Sequence, residues 1–127
     1  MEILLDTNFI LTCVKSKIDF AQIAEKIIDE KITWLIPQQV LNEIGNIKDR
    51  KSTKKVDKES AELSFQILQV INHKIIELNK DRNVDIAIVN YILNKPIVLA
   101  TLDKRLKQRV PNNKILTIRG KSYLELI

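Results

Sequence analysis

The sequence predicts an α/β fold of three layers, α/β/α, around a central, mostly parallel sheet of about four to five strands. Three observations point there. Short apolar runs, within 3–5, 33–36 and 97–100 among others, read as strands buried on both faces. Segments with apolar residues at helical spacing alternate with those runs along the whole chain. The 127 residues, 45% of them hydrophobic, make a single domain, 1–127, with enough material for a sizeable core.

Ile3-Leu4-Leu5 is the first strand. Phe9, Ile10, Cys13 and Val14 then fall at helical spacing over 7–14, and 19–30 forms an amphipathic helix that Asp19 can cap. Thr33-Trp34-Leu35-Ile36 is the second strand, ended by Pro37, and Trp34 is expected in the core. The helix over 38–47 turns Val40, Leu41, Ile44 and Ile47 inward, with Gly45 weakening its last turns. Residues 48–59 lack apolar periodicity and read as an exposed connector. A helix follows from Ser60, then a short strand over 74–78 and a helix over 84–93. Ile97-Val98-Leu99-Ala100 is a buried strand, after which Thr101 can cap a helix over 102–110. The chain ends with a strand over 114–118 and a short helix from Ser122.

Composition removes several chemistries. Two glycines cannot build a phosphate-cradling glycine loop or a dinucleotide fingerprint, each of which needs several for close backbone approach. Cys13 is the single cysteine and His73 the single histidine, which excludes a disulfide framework, a thiolate cage and a multi-histidine zinc site. No apolar run approaches a membrane span and no signal peptide precedes the first strand, so a cytoplasmic, reduced protein is expected, with no membrane partner. The net charge of +5 and pI near 9.4 suit a polyanionic partner, although basic proteins arise without one.

Four acids carry the functional expectation. Asp6 ends the first strand, at the sheet edge where open α/β folds keep their sites. Read alone, it is an ordinary helix N-cap, or Thr7 caps while Asp6 faces elsewhere. Glu43 lies between Val40 and Ile47 on the border of an apolar helix face. Asp85 shares a stripe with Ile88, Val89 and Ile92, though it too could cap its helix, as could Asp81 or Asn83. Asp103 follows the strand 97–100 by three residues and so opens on the same edge as Asp6, unless it merely pairs with Lys104 or Arg105. Four carboxylates that converge repel one another unless a cation sits among them. Oxygen ligands suit Mg²⁺ or Mn²⁺, and such an ion can generate hydroxide and steady a phosphodiester without a histidine or cysteine.

These motifs resemble the PIN-domain nucleases over nearly the whole chain. The resemblance rests on Leu4-Leu5-Asp6-Thr7-Asn8-Phe9-Ile10, the segment 37–43, Val84-Asp85-Ile86-Ala87-Ile88, the run 98–107 around Ala100-Thr101-Leu102-Asp103, and Ile118-Arg119-Gly120-Lys121-Ser122. The chain looks most like the archaeal relatives of the PIN nuclease that cleaves precursor rRNA in eukaryotic small-subunit assembly, and VapC-type toxins share the same four acidic positions. The resemblance implies metal-dependent endoribonuclease activity on single-stranded RNA. It makes Asp6, Glu43, Asp85 and Asp103 the catalytic, metal-holding cluster, and Thr7, Asn8 and Thr101 the neighbours that orient the metal or its waters. Mg²⁺ or Mn²⁺ would be held by Asp6, Asp85 and Asp103, with Glu43 orienting or deprotonating the attacking water, leaving a 5′-phosphate and a 3′-hydroxyl. Many members carry a second acid directly after the third-motif aspartate; here that position is Ile86.

Lys104, Arg105, Arg109, Arg119 and Lys121 are the expected grip on the RNA backbone, with Lys51, Lys54 and Lys55 adding contacts from the connector. Aromatics make up only 5% of the chain, so base stacking is not expected to set specificity. Precursor rRNA is the first substrate in view, single-stranded or structured. A toxin ribonuclease paired with an antitoxin is the second reading, and an RNA-binding assembly scaffold with a weak or dead site the third. An antitoxin, an assembly factor or a second copy of the chain are the protein partners these readings bring.

Overall fold

The computed structural model describes residues 1–127, and its strands carry the chain's most apolar runs to the centre. The element order is β1 (Glu2–Leu5), α1 (Thr7–Lys15), α2 (Phe20–Ile27), β2 (Thr33–Pro37), α3 (Gln38–Asp49), α4 (Lys55–Val70), β3 (His73–Ile76), α5 (Val84–Ile92), β4 (Ile97–Ala100), α6 (Lys104–Arg109), β5 (Ile115–Arg119) and β6 (Tyr123–Leu126). The six strands form one sheet in the order β3-β2-β1-β4-β5-β6, parallel except for β6. The strand order reverses at β1, whose two neighbours are β2 and β4. The loops after β1 and β4 therefore meet at a topological switch point, the position where α/β sheets open a crevice.

The period-two alternation of each strand sorts the core into two halves. Ile3 and Leu5 of β1, Trp34 and Ile36 of β2, Val98 and Ala100 of β4, and Leu116 of β5 face one side, where α1, α2, α3 and α4 pack. Phe20 meets Trp34 edge to face there, with centroids 5.2 Å apart. Leu4, Leu35, Ile97, Leu99 and Ile115 face the other side, against α5 and α6. Residues just past β1 and β4, and one within β5, continue the alternation. Asp6, Thr101 and Thr117 each follow a residue of the four-helix face, and all three side chains belong to the α5/α6 face at the carboxyl edge of the sheet.

Two expectations need correction. The segment from Ser122 is not a helix: Tyr123–Leu126 is a sixth strand, antiparallel to β5, so the sheet exceeds the four to five strands expected. Leu124 is buried and Tyr123 exposed, the alternation of a strand, and Gly120 turns the hairpin at φ +64. The exposed connector is also shorter than 48–59. α3 continues to Asp49 and α4 starts at Lys55. The first turns of α4 lack an apolar rhythm because they face solvent: Val56 is exposed, while Lys15–Asp57 and Lys55–Glu59 pair charges. Other bounds shift by a few residues, as at β3 and α2.

Candidate active site

Asp6 occupies the N-cap position of α1 with extended backbone (φ −90, ψ 147), and its side chain makes no capping bond. Backbone bonds fix its place. Its N–H donates to the Ala100 carbonyl at 3.0 Å and its carbonyl accepts from Ile10 N–H at 3.2 Å. The carboxylate is held from the neighbouring strand instead: Thr101 Oγ1–H donates to Asp6 Oδ2 at 2.7 Å. Asp6 is 8% exposed and Thr101 0%. A carboxylate this deep is costly to ionise. Burial raises the Asp6 pKa above its ordinary value of 3.8, the Thr101 bond pulls it down, Asp85 raises it, the Thr7 backbone N–H lowers it and Glu43 raises it. The net direction is up.

The other two capping alternatives resolve just as definitely. Asn83 caps α5, accepting from Ile86 N–H at 2.8 Å, so Asp85 on the first turn is free of that duty and half-buried. Thr101 does not cap the helix that follows it. Asp103 does, with Oδ1 accepting from Arg105 N–H at 2.9 Å and Leu106 N–H at 3.3 Å, while its own N–H donates to Thr101 Oγ1 at 3.1 Å. That helix begins at Lys104, two residues later than expected, because Thr101 is drawn into the sheet edge by Leu116 and Asp6. Neither Lys104 nor Arg105 forms an ion pair with Asp103.

Asp85 and Glu43 thus act on Asp6 through space, and Asp103 is joined to it through the Thr101 hydroxyl. Glu43 stands exposed on the second turn of α3 and reaches the edge from the four-helix side. No three acids stand close enough together to cage an ion by themselves. Thr7 is not a cap either: it lies inside α1, 5% exposed, and its Oγ1 is buried with no hydrogen-bond partner. Asn8 is exposed on the same turn.

These groups fit a hard divalent cation. Every donor is oxygen, one buried hydroxyl lacks a partner, and the most buried carboxylate is pushed toward its neutral form by burial and two acidic neighbours. Mg²⁺ keeps several waters and takes only one or two carboxylates, so a looser acid set suits it.

The cationic candidates divide. Lys104 and Arg105 at the start of α6, and Arg119 and Lys121 on the β5–β6 hairpin, are exposed at the carboxyl edge. Arg109 is exposed on the last residue of α6, at the other end of the helix from Lys104 and Arg105. Lys51, Lys54 and Lys55 lie beyond the far end of α3, whose 12 residues span roughly 18 Å at the usual rise. The structure does not gather those three with the acids. Sequence reasoning passed over Thr117 and Lys107, which meet at this edge. Their only sequence signal is that Lys107 follows Asp103 by one helical turn.

A mostly parallel sheet with Asp6 at the carboxyl edge of its central strand β1, held by Thr101 after the neighbouring β4, has the layout of a PIN-like fold. Residues 3–121 match the PIN-like domain family (PIN_9), and the chain belongs to that family. Ribonuclease VapC4 of Methanocaldococcus jannaschii is 28% identical over 124 residues, 95% of this chain and 92% of that protein. Among solved structures, the PIN domain endonuclease Utp24 superposes with a TM-score of 0.79 at 22% identity, covering 98% of this chain and 90% of its own. VapBC2 from Rickettsia felis, solved with a DNA fragment from its promoter, gives 0.63 at 18% identity, covering 92% and 98%. At those identities the structural likeness is one of fold.

Proposed function

We propose that this chain is a metal-dependent endoribonuclease that hydrolyses phosphodiester bonds of single-stranded RNA in the cytoplasm, using Mg²⁺ or Mn²⁺. The observation that carries the proposal is Asp6. It stands at a helix N-cap yet leaves the cap unmade, and it is buried under the repulsion of Asp85 and Glu43. A purely structural aspartate would relieve that cost by capping or by pairing with a cation.

Asp6 and Asp85 would hold the ion together with waters, with Asp103 reaching it through one of those waters from its Oδ2, the oxygen its capping bonds leave free. When bound, the ion supplies Lewis-acid polarisation of the phosphate and acidifies a water. Thr101 fixes the Asp6 carboxylate, and the Thr7 hydroxyl is left to orient a water. Glu43, exposed across the edge, orients the attacking water and accepts its proton. Attack on phosphorus breaks the bond to the 3′-oxygen of the preceding nucleotide, which takes a proton from solvent, giving a 3′-hydroxyl and a 5′-phosphate. Lys104, Arg105, Arg119 and Lys121 steady the backbone at the edge, with Arg109, Lys51, Lys54 and Lys55 available to a longer strand.

The test is cleavage of end-labelled single-stranded RNA with and without Mn²⁺, beside Asp6→Asn. Metal-dependent cleavage that Asp6→Asn abolishes supports the reading. RNA binding by a protein that cleaves nothing would instead support the scaffold reading. Two biological roles share the chemistry. Precursor-rRNA processing follows from the motif resemblance, and a toxin role with an antitoxin partner from the 28% identity to VapC4. Growth arrest on expression, relieved by the product of the adjacent reading frame, would mark the toxin; accumulation of unprocessed rRNA on deletion would mark the processing enzyme.

A further inference from the structure

Lys107 is a cation at the same sheet edge that forms no ion pair, although Glu125 lies across from its partner Thr117 in the β5–β6 register. It lies on α6, half-buried, and its Nζ donates to Thr117 Oγ1 at 3.1 Å. Thr117 is 9% exposed and sits at the middle of β5, opposite Glu125 of β6. None of the ion pairs in the chain involves Lys107. Holding a long, flexible ammonium side chain in one place costs entropy, and a neutral hydroxyl returns little for it. The bond occupies one of three ammonium protons and leaves two for another acceptor. Arg119 and Lys121 nearby are exposed and unanchored by comparison.

The sheet gives the spacing. Asp6 and Thr101, one residue past β1 and β4, continue the register that pairs Leu5 with Ala100 and Ala100 with Leu116, so they stand in one row with Thr117 of β5 and share its face. Two strand steps place Thr117 roughly 10 Å from Asp6. Lys107 is accordingly not among the groups that shift Asp6, so it neither neutralises that carboxylate nor competes for it. The distance matches a nearby backbone phosphate when the scissile phosphate is at Asp6.

We propose that Lys107, anchored by Thr117, binds an RNA backbone phosphate flanking the scissile one and so sets the register of the strand across the acids. This rests on the ribonuclease reading above. The competing account is that the Lys107 stem covers apolar surface while its charge merely complements the last turn of α6.

The test pairs Lys107→Met, which keeps the stem, with RNA carrying a single neutral methylphosphonate at successive positions around the cleavage site. For the unmodified protein, one flanking position should cost about 10-fold in cleavage rate, the size of one charge-assisted contact. Lys107→Met should lose a similar factor on ordinary RNA and nothing more when that phosphate is neutral. A second readout needs no turnover: in the Asp6→Asn background, Lys107→Met should lower the salt slope of RNA binding by about 0.7. Thr117→Val should loosen the anchor and give an intermediate loss. Penalties that multiply at every position, or an unchanged salt slope, would overturn the assignment while cleavage by the unmodified protein left the nuclease reading standing. If the unmodified protein cleaves no RNA, both fall together.

Discussion

Thr101→Val isolates the contact on which the site depends. Valine matches threonine in shape, so the fully buried position is refilled and only the hydroxyl disappears. That hydroxyl does two jobs: it donates to Asp6 Oδ2 at 2.7 Å and accepts from Asp103 N–H at 3.1 Å. The first is a charge-assisted bond to a buried carboxylate, worth roughly 2 kcal/mol. The second leaves a half-buried amide without its partner, adding about 1 kcal/mol. A loss of about 3 kcal/mol at neutral pH follows. For a chain of 127 residues, with an unfolding entropy of about 2 cal/mol/K per residue, it corresponds to a drop of about 10 °C in Tm. Cleavage should fall roughly 10- to 100-fold, as when a group orienting a metal ligand is removed. Thr101→Ser keeps the hydroxyl and should cost about 1 kcal/mol for the lost methyl, with most activity kept.

The pH dependence gives the sharper test. Asp6 has a folded pKa above its ordinary value of 3.8. Folding therefore favours its neutral form, a contribution fully present below 3.8 and lost as pH rises through the folded value. The Thr101 bond favours the anion and so limits that loss. Removing it raises the folded pKa further, and the deficit of Thr101→Val should be smallest in acid and grow as Asp6 ionises. Urea unfolding followed by circular dichroism across the pH range measures it. A deficit that is independent of pH, or a variant as stable as the unmodified protein at pH 7, would refute the reasoning.

Three further outcomes follow from the same geometry. Asp6→Asn should be more stable than the unmodified protein above pH 3.8, by a margin that widens as Asp6 ionises, while losing cleavage; it should also lose the metal-induced rise in Tm, about 1.4 kcal/mol at ten times Kd, in a thermal-shift titration with Mn²⁺. Thr7→Val removes a buried hydroxyl that has no partner, so it should stabilise the fold by about 1 kcal/mol and still reduce cleavage, and a destabilised variant in urea titration would contradict this. Burial pushes the Cys13 thiol up to about 12, so iodoacetamide at pH 8 should label it only as the protein unfolds, with mass spectrometry reading the rate.

Much of the frame was legible in the sequence because it is written in apolar runs. The strands over 3–5, 33–36 and 97–100 are short apolar stretches interrupted at most by Thr33, and the one over 114–118 carries Ile115, Leu116 and Ile118. Tyr123–Leu126 was not legible, because two leucines in four residues satisfy a helix or a strand; its partner β5 and the turn at Gly120 decide it. The start of α4 hid for the opposite reason, since a solvent-facing polar turn carries no apolar period. At the site, residue type and spacing pointed to Asp6, Asp85 and Asp103 but could not say which acceptor each helix would use. Asn83 takes the cap of α5, Asp103 takes that of α6, and α1 goes without one. That allocation depends on the neighbouring strand, through Thr101, and a local pattern does not record it.

The uncapped helix α1 is the informative exception. Chains place Asp before a helix because its carboxylate satisfies a free N–H, and here the residue type, the position and the extended backbone are all suitable. Thr101, 95 residues away in sequence, turns the carboxylate aside instead. The result is worse locally in three respects: a helix end without its cap, a buried acid near two others, and a threonine hydroxyl without a partner in the next position. Local rules in folded proteins tend to fail together where function demands it. Two of these costs would fall if a cation and its waters occupied the edge: the buried acid would gain its counter-charge against Asp85 and Glu43, and Thr7 Oγ1 would gain a partner. Unrelated defects would need separate explanations, so the Asp6→Asn and Thr7→Val variants test one cause from two sides. Both should gain stability in the absence of metal, and both should lose cleavage in its presence.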